Sequence, residues 1–408
     1  MTSTPDFVPV ILGTNINAYN VARSIHEAYG VTSIALGRAP LPATRDSSIV
    51  DVRVDRHLDQ PEVLVARLKE LAAEIGDRPK VLFANIELYT NIVVAHRDEI
   101  GADYLVPLVG PDLAAKLMNK TDFYATCAEL GVPHPESVIV RPGPLDGVGD
   151  ALPFPYPVIL KPSNTDIYPR LRFEGQQKVY LVEDAASLRD VAARIFAAGY
   201  DDDLVVQEYL AGDESVMRVV NTYSDRHGRM RFLSAGQVVL TEYDPREVGN
   251  NNAIVSIHDP ALTDSVRRLL DGVGYTGLAN LDVMLDRRTG ENKILEVNLR
   301  LGATSYYTRA AGGNVTEHVV GDLVEHAELA DTVTTAERLW VNVPYLVVLR
   351  FAPRALRPLL RAAKKRGGPV HTLRYRPDMT WRRRLIVARE DLRRSRNYVR
   401  YAATRLNR

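Results

Sequence analysis

The sequence predicts an α/β protein of two or three domains, and three observations carry that reading. At 408 residues the chain is longer than one ordinary hydrophobic core requires. Its first hundred residues alternate short apolar runs with stretches in which apolar side chains recur at the 3.6-residue helical period. A Pro- and Gly-rich stretch at residues 141–157 then interrupts the pattern, as a domain edge or a long connection does.

The elements follow in order. Val8–Leu12 reads as a strand that turns at Gly13 into a helix with Ala18, Val21, Ala22, Ile25 and Ala28 on one face. A second helix carries Leu64, Leu68, Leu71, Ala72 and Ile75 and leads to strand Val81–Ala84. Strands alternating with helices imply a parallel sheet, whose ligands sit at the carboxyl ends of its strands. Gly13, Asn15 and Asn17 are therefore expected to face a cleft; the alternative is a strand-to-helix connection capped by Asn. The pair Asn119-Lys120 sits between a helix bearing Leu113, Leu117 and Met118 and one bearing Phe123, Cys127 and Leu130. Tyr156–Pro162 is a β-rich run ending in Lys161, and Pro162 forbids a helix there. Residues 163–178 have mixed polarity and no sustained period, as a surface hairpin or a lid would. Leu204–Leu210 is a strand running into the turn Ala211-Gly212-Asp213-Glu214. The polar, Gly-containing turn 287–292 joins two antiparallel strands, Leu281–Asp286 and Leu295–Arg300.

Composition removes several functional classes. The lone Cys127 excludes an internal disulfide and a thiolate-rich metal site, and its apolar helical face places it in the core. None of the nine histidines is paired at helical ligand spacing, which argues against zinc. There is no Gly-x-x-x-x-Gly-Lys phosphate loop. No stretch approaches the ~20 apolar residues of a membrane span and no basic flank precedes residues 8–12, so a cytoplasmic location is expected.

The chemistry concentrates on the last two strands. Alternation sends Glu296, Asn298 and Arg300 to one side of their strand, beside Asp282 on its neighbour. Hard oxygen ligands of this kind suit Mg²⁺, which binds through one or two carboxylates and completes its shell with waters and substrate phosphates. An adjacent guanidinium grips a phosphoryl group or a developing oxyanion. Lys161 and Lys120 supply cations for phosphates. Strand 204–210 can offer backbone groups to an adenine edge while a following acid binds the ribose hydroxyls. A solvated polar strand face with surface ion pairs is the alternative reading of the same spacing.

Taken in order, Lys120, Lys161, Gln207-Glu208-Tyr209-Leu210 with Glu214, Asp282, and Glu296-Val297-Asn298-Leu299-Arg300 resemble the ATP-grasp carboxylate–amine ligases over about residues 5–330. Within that superfamily the chain looks most like the D-aspartate ligases of peptidoglycan cross-bridge synthesis. The likeness rests on Phe7–Gly13, Ala22-Arg23-Ser24 with Glu27–Gly30, Phe173-Glu174-Gly175, Ala198-Gly199-Tyr200, Met217-Arg218-Val219 with Asn221 and Tyr223, and Tyr275–Asn280. The chain departs from these ligases after Arg300, carrying Leu301 and Ala303 where they carry Gln and then Arg. It departs from the D-alanine–D-alanine ligases at Asn280, where those carry an Arg two positions before the metal Asp.

The resemblance implies an ATP-grasp fold preceded by a parallel α/β domain. It also implies four segments: 1–115, N-terminal α/β; 116–205, small lobe with a mobile loop; 206–340, large lobe with the metal site; and 341–408, a basic C-terminal segment. It implies ATP and Mg²⁺ as cofactors. Lys120, Lys161, Gln207, Glu208, Tyr209, Leu210 and Glu214 would bind ATP, Asp282, Glu296 and Asn298 the metal, and Arg300, Lys161 and Arg218 would act in catalysis. The implied reaction phosphorylates a carboxylate, D-aspartate in the subfamily, and lets the Lys or Orn side-chain amine of a stem peptide attack the acyl phosphate. Lys178 and Glu174 would lie in the lid. A ligase for another small carboxylate and a non-catalytic nucleotide-binding protein are the other readings, and a homodimer remains open.

Charge is uneven along a formally neutral chain. Residues 350–408 hold 19 Lys and Arg against Asp378, Glu390 and Asp391, leaving 32 against 48 in the remainder. Leu356, Leu359 and Leu360 among Arg354, Arg357, Arg361, Lys364, Lys365 and Arg366, beside the apolar Tyr345–Leu349, have the composition of a basic amphipathic helix. An anionic membrane surface, reached from the cytoplasmic side, is one expected partner; docking on the acidic body or simple solvation is the alternative, and nucleic acid ranks lower.

Overall fold

The computed structural model describes residues 5–164, 167–247 and 249–406. The chain divides into two units, one formed by Met1–Pro111, Asp213–Leu281 and Asn298–Arg408, the other by Asp112–Gly212 and Asp282–Val297.

The first unit begins with β1 (Val8–Leu12), α1 (Ile16–Tyr29), β2 (Ser33–Gly37), β3 (Val50–Val54), α2 (Pro61–Ile75), β4 (Lys80–Ala84), α3 (Glu87–Ala95) and α4 (Arg97–Gly101). The strands pair in parallel in the order β3-β2-β1-β4. The central β1 and β4 are buried at every position, which is why both read as continuous apolar runs rather than as alternation. At Gly13 the backbone has φ of +104°, and a Cβ would approach Ile86 Cδ1 to 2.4 Å, so only glycine fits this turn. Asn15 caps α1, accepting from the N–H groups of Asn17 and Ala18. That is the capping alternative: the Asn15 side chain serves the helix. Asn17 donates to the Asn85 carbonyl (2.6 Å).

Helix α5 (Pro111–Met118) leads into the second unit, which holds α6 (Lys120–Glu129), β5 (Ser137–Val140), β6 (Val158–Pro162), β7 (Tyr180–Val182), α7 (Ala185–Ala197) and β8 (Leu204–Glu208). Its antiparallel sheet runs β5-β8-β6-β7. Val158, Leu160, Val182 and Val206 pack on Leu188, Ala192 and Ile195 of α7. The Pro- and Gly-rich stretch 141–157 is the long connection between β5 and β6. Of the expected lid, residues 165 and 166 lie outside the described residues; Tyr168–Arg170 forms one 3₁₀ turn.

The chain continues with β9 (Met217–Ser224), β10 (Met230–Thr241), β11 (Asn251–Ile257), α8 (Pro260–Gly272), β12 (Gly277–Leu285) and β13 (Asn292–Asn298). Then come α9 (Tyr306–Ala310), α10 (Val315–Leu323), β14 (Thr332–Val333), β15 (Leu339–Val341), α11 (Tyr345–Phe351), α12 (Arg357–Lys365), β16 (Pro369–His371) and α13 (Trp381–Leu406). The large sheet has the order β13-β12-β9-β10-β11-β15-β16, with β14 beside β10. The hairpin β12–β13 passes from one unit to the other, Asp282–Val297 counting with the second.

The C-terminal segment is built into the first unit. Leu356, Leu360 and Ala363 of the basic stretch are buried against Val239, Leu240, Val255 and Leu339, together with Val347 and Val348 of α11. The apolar face expected to meet a membrane is therefore consumed by the protein's own sheet, and only the cationic side of α12 is turned outward. Further on, Asp378 is buried and accepts from Tyr19 Oη (2.7 Å), Ser47 Oγ (3.0 Å), the Ser48 N–H (2.6 Å) and Ser48 Oγ (3.0 Å). Arg383, also buried, pairs with Asp378 at 3.3 Å, donates to the carbonyls of Pro42, Ala43 and Arg45, and lies over the Tyr19 ring.

Candidate active site

Lys120 opens α6 directly after its cap, Asn119, which accepts from the N–H groups of Thr121 and Asp122. A cation is disfavoured at this end of a helix, where the backbone dipole is already positive. Glu296 on β13 compensates: Lys120 Nζ donates to its Oε2 at 2.9 Å. Burial pushes the Glu296 carboxyl up, but the charge and hydrogen bond of Lys120, a hydrogen bond with Asp282 and the charge of Lys178 outweigh it, bringing it down to about 2.

Lys161, next to last in β6, is 8 % exposed. Its Nζ donates to Tyr124 Oη (2.8 Å) and Gln207 Oε1 (2.9 Å) and lies 5.1 Å from the centre of the Tyr124 ring. Tyr124 donates in turn to the Leu295 carbonyl (2.9 Å), and His134 stacks on its ring. Burial lowers the Lys161 ammonium to about 7, helped by the charges of Lys120 and Lys178 and opposed by Glu296. A buried lysine beside other cations suits a polyanion, which would supply the missing counter-charge.

Glu208 ends β8 with its carboxylate already engaged. Its Oε1 accepts from the Glu136 N–H (2.9 Å) and from Lys293 Nζ, while Lys293 pairs also with Asp286 (3.2 Å) and Arg288 lies 3.5 Å from Glu208. This buried network ties β8 to the hairpin and was not foreseen from sequence; its signal was two acids and a Lys in otherwise apolar strands. Tyr209 and Leu210 lie beyond the last ladder pair of β8, Val158 with Glu208, so their peptide groups are not committed to the sheet. Lys120, Lys161, Gln207, Glu208, Tyr209, Leu210, Asp282 and Glu296 thus all belong to the second unit.

The remaining expected residues belong to the first. Glu214 is buried, with Oε1 accepting from Thr241 Oγ1 (2.8 Å). Arg218 on β9 donates to the carbonyls of Ser215 and Met217, each at 3.1 Å; burial lowers its proton affinity and the charge of Asp259 opposes that. Asn298 donates to Asn280 Oδ1 (3.5 Å), and Asn280 donates to the Val220 carbonyl (3.2 Å) and Asn221 Oδ1 (3.4 Å). Asn280 and Asn221, which the sequence marked only as parts of the family likeness and its departures, thus form a hydrogen-bonded chain leading to Asn298. Strand β13 stops at Asn298, so Arg300 lies past the alternation that was expected to aim it; its Nη1 donates to the Leu301 carbonyl (3.3 Å). Leu301 is in the core with Val315 and Val319, and the Ala303 carbonyl accepts from Asn20 Nδ2 (2.8 Å). Packing explains why this chain holds an apolar side chain at position 301.

Asp282 and Glu296 fit a hard divalent ion. Two carboxylates in hydrogen-bonding reach of one another are stable only with a shared proton or a nearby cation. A pair of carboxylates would leave the other positions of an octahedral ion to substrate oxygens and water.

No family model matches the chain. It is 33 % identical over 357 residues, 85 % of each chain, to the D-aspartate ligase of Enterococcus faecium (strain Aus0004). Among solved structures it is similar to the L-amino acid ligase of Bacillus licheniformis, with TM-score 0.55, 14 % identity, and coverage of 78 % of this chain and 74 % of that one. It is also similar to the biotin carboxylase domain of the Hydrogenobacter thermophilus 2-oxoglutarate carboxylase, solved with MgADP, with TM-score 0.59, 12 % identity, and coverage of 82 % and 73 %. At such identities the structural likeness is one of fold, and that fold is ATP-grasp: an N-terminal parallel α/β sheet followed by antiparallel grasp sheets. Together with the D-aspartate ligase match, it places the chain among the ATP-grasp carboxylate–amine ligases, ATP-dependent enzymes that form carbon–nitrogen bonds.

Proposed function

We propose that this enzyme joins D-aspartate to the side-chain amine of the Lys or Orn of a peptidoglycan stem peptide. The observation that carries the reading is the 33 % identity to a D-aspartate ligase across 85 % of both chains. The carboxylate takes the terminal phosphoryl group of ATP, releasing ADP; the amine then attacks the acyl carbon, the C–O bond to phosphate breaks, and the amine loses a proton as the amide forms. Neither step needs a protein nucleophile, so positioning and charge neutralisation carry the catalysis.

Lys120 and Lys161 would lie against the phosphates, and Tyr209 and Leu210 would offer free peptide groups to the adenine edge. Glu214 would meet the ribose. Asp282 and Glu296 would hold Mg²⁺ with Asn298, which follows Glu296 by two positions on one strand. The metal, when bound, neutralises charge on the transferring phosphoryl oxygens. Arg300 would stabilise the transferring group and Arg218 would bind a substrate carboxylate. The MgADP bound by the Hydrogenobacter structural neighbour supports the nucleotide and metal parts of this reading.

Leu301 and Ala303, which depart from the D-aspartate ligases, favour a second reading in which the donor is another amino acid. The test offers purified protein, ATP and Mg²⁺ with a panel of D- and L-amino acids and a stem-peptide acceptor, followed by mass spectrometry. D-aspartate is expected to be the residue added. A different added mass, or use of L-aspartate alone, overturns the donor assignment and leaves the ligase chemistry standing. Glu296→Gln in the same assay should lower ADP release at least a hundredfold, about 2.7 kcal/mol of lost transition-state stabilisation. Near-normal turnover in that variant would remove Glu296 from the metal site.

A further inference from the structure

Helix α13 spans 26 residues, Trp381–Leu406, and its inner and outer faces differ sharply. Arg383, Val387 and Tyr398 are buried against the rest of the first unit. On the other side Trp381 is 68 % exposed, Leu385 50 %, Leu392 51 % and Val399 72 %. At 100° per residue these four fall within an arc of about 40° and extend over about 27 Å of helix. Single exposed apolar side chains are ordinary on a protein surface; a continuous stripe headed by a tryptophan is not.

The charges around the stripe are of one sign. Arg384 lies on one flank and Arg389, Arg396 and Arg400 on the other, all exposed. The acids of this helix, Glu390 and Asp391, are already paired, Glu390 with Arg393 of the same helix and Asp391 with His371 and Arg374. An apolar line flanked by exposed guanidinium groups matches a surface that is anionic at its boundary and hydrocarbon beneath. A nucleic acid would engage the arginines but leave the stripe in water. No helix among the described residues is long and apolar enough to cross a bilayer, so α13 would lie in the plane of the interface.

We propose that the outward face of α13 docks this enzyme on an anionic lipid surface. The contact uses α13 rather than the basic helix α12, and it does not depend on which amino acid the enzyme activates. The chain supplies its own probe: of its two tryptophans, Trp340 is fully buried, so a shift in emission reports Trp381. Full-length protein is mixed with phosphatidylcholine vesicles with and without roughly a third phosphatidylglycerol, and with a single-stranded oligoribonucleotide, reading emission wavelength and co-sedimentation. The expected result is a blue shift and pelleting with anionic vesicles only, reversed by salt. Leu385→Ser/Leu392→Ser/Val399→Ser and, separately, Arg389→Glu/Arg396→Glu should each lower partitioning at least tenfold while ligase activity on a soluble acceptor is kept. Unchanged partitioning of the triple serine variant overturns the proposal. So does an emission shift with the oligoribonucleotide and none with vesicles.

Discussion

Lys161 offers the sharpest quantitative test of the proposed nucleotide site. Buried, and facing the charges of Lys120 and Lys178, it has its proton affinity lowered from 10.5 to about 7. At pH 8 only about one in ten ligand-free molecules carries that proton, and at pH 6 about nine in ten do. Phosphate oxygens beside Nζ would raise its proton affinity well above 8, so binding of MgATP should take up about 0.9 proton at pH 8 and about 0.1 at pH 6. Affinity should correspondingly fall about tenfold between pH 6 and pH 8, or ~1.4 kcal/mol. Calorimetric titration in buffers of differing ionisation enthalpy measures the uptake directly. Lys161→Met should bind more weakly at pH 6 and lose the buffer dependence at pH 8. Zero uptake by the parent at pH 8, or equal uptake by the methionine variant, would refute the placement of Lys161 on the phosphates. The same shift acts on folding with a definite sign. The unfolded chain holds this proton up to 10.5 and the folded chain only to about 7, so the Lys161 contribution to the stability of the ligand-free protein rises with pH across that window.

Two further outcomes concern stability. Asp378→Ala removes the acceptor of Tyr19, Ser47 and Ser48 and leaves Arg383 as an uncompensated buried charge, so a cost of about 3–5 kcal/mol is expected by denaturant titration; a loss below ~1 kcal/mol would show that the pair is dispensable. Leu301→Ala empties core space beside Val315 and Val319 and should cost about 2–5 kcal/mol; an unchanged denaturation midpoint with unchanged slope would mean that this position is not held by packing.

Periodicity and turn chemistry made much of the architecture legible before any coordinates. The strand Val8–Leu12 and the helix break at Asn119 were readable because each is a local event: an apolar run, then a capping Asn. The hairpin carrying Asp282 and Glu296 was equally readable from alternation around a polar turn. Alternation failed at Arg300, since nothing in the local sequence marks β13 as ending at Asn298. Tyr124 beneath Lys161 and the Glu208–Lys293–Asp286 network were invisible because their partners come from separate elements, and pairing between distant strands leaves no period in a single sequence. The fate of α12 was undecidable for a related reason: a basic amphipathic helix presents one pattern whether its apolar side meets lipid or its own sheet.

The bond from Tyr19 to Asp378 spans 359 positions of chain. Ribosomes release the N-terminus first, at about 5–20 residues per second, so Tyr19 waits roughly 20–70 s before its acceptor is made. During that interval Ser47, Ser48 and the Pro42–Arg45 carbonyls have no Arg383 or Asp378 to meet. The first sheet to emerge thus has the 42–48 segment beside it completed only near the end of synthesis, and a nascent chain stalled before residue 378 lacks those contacts.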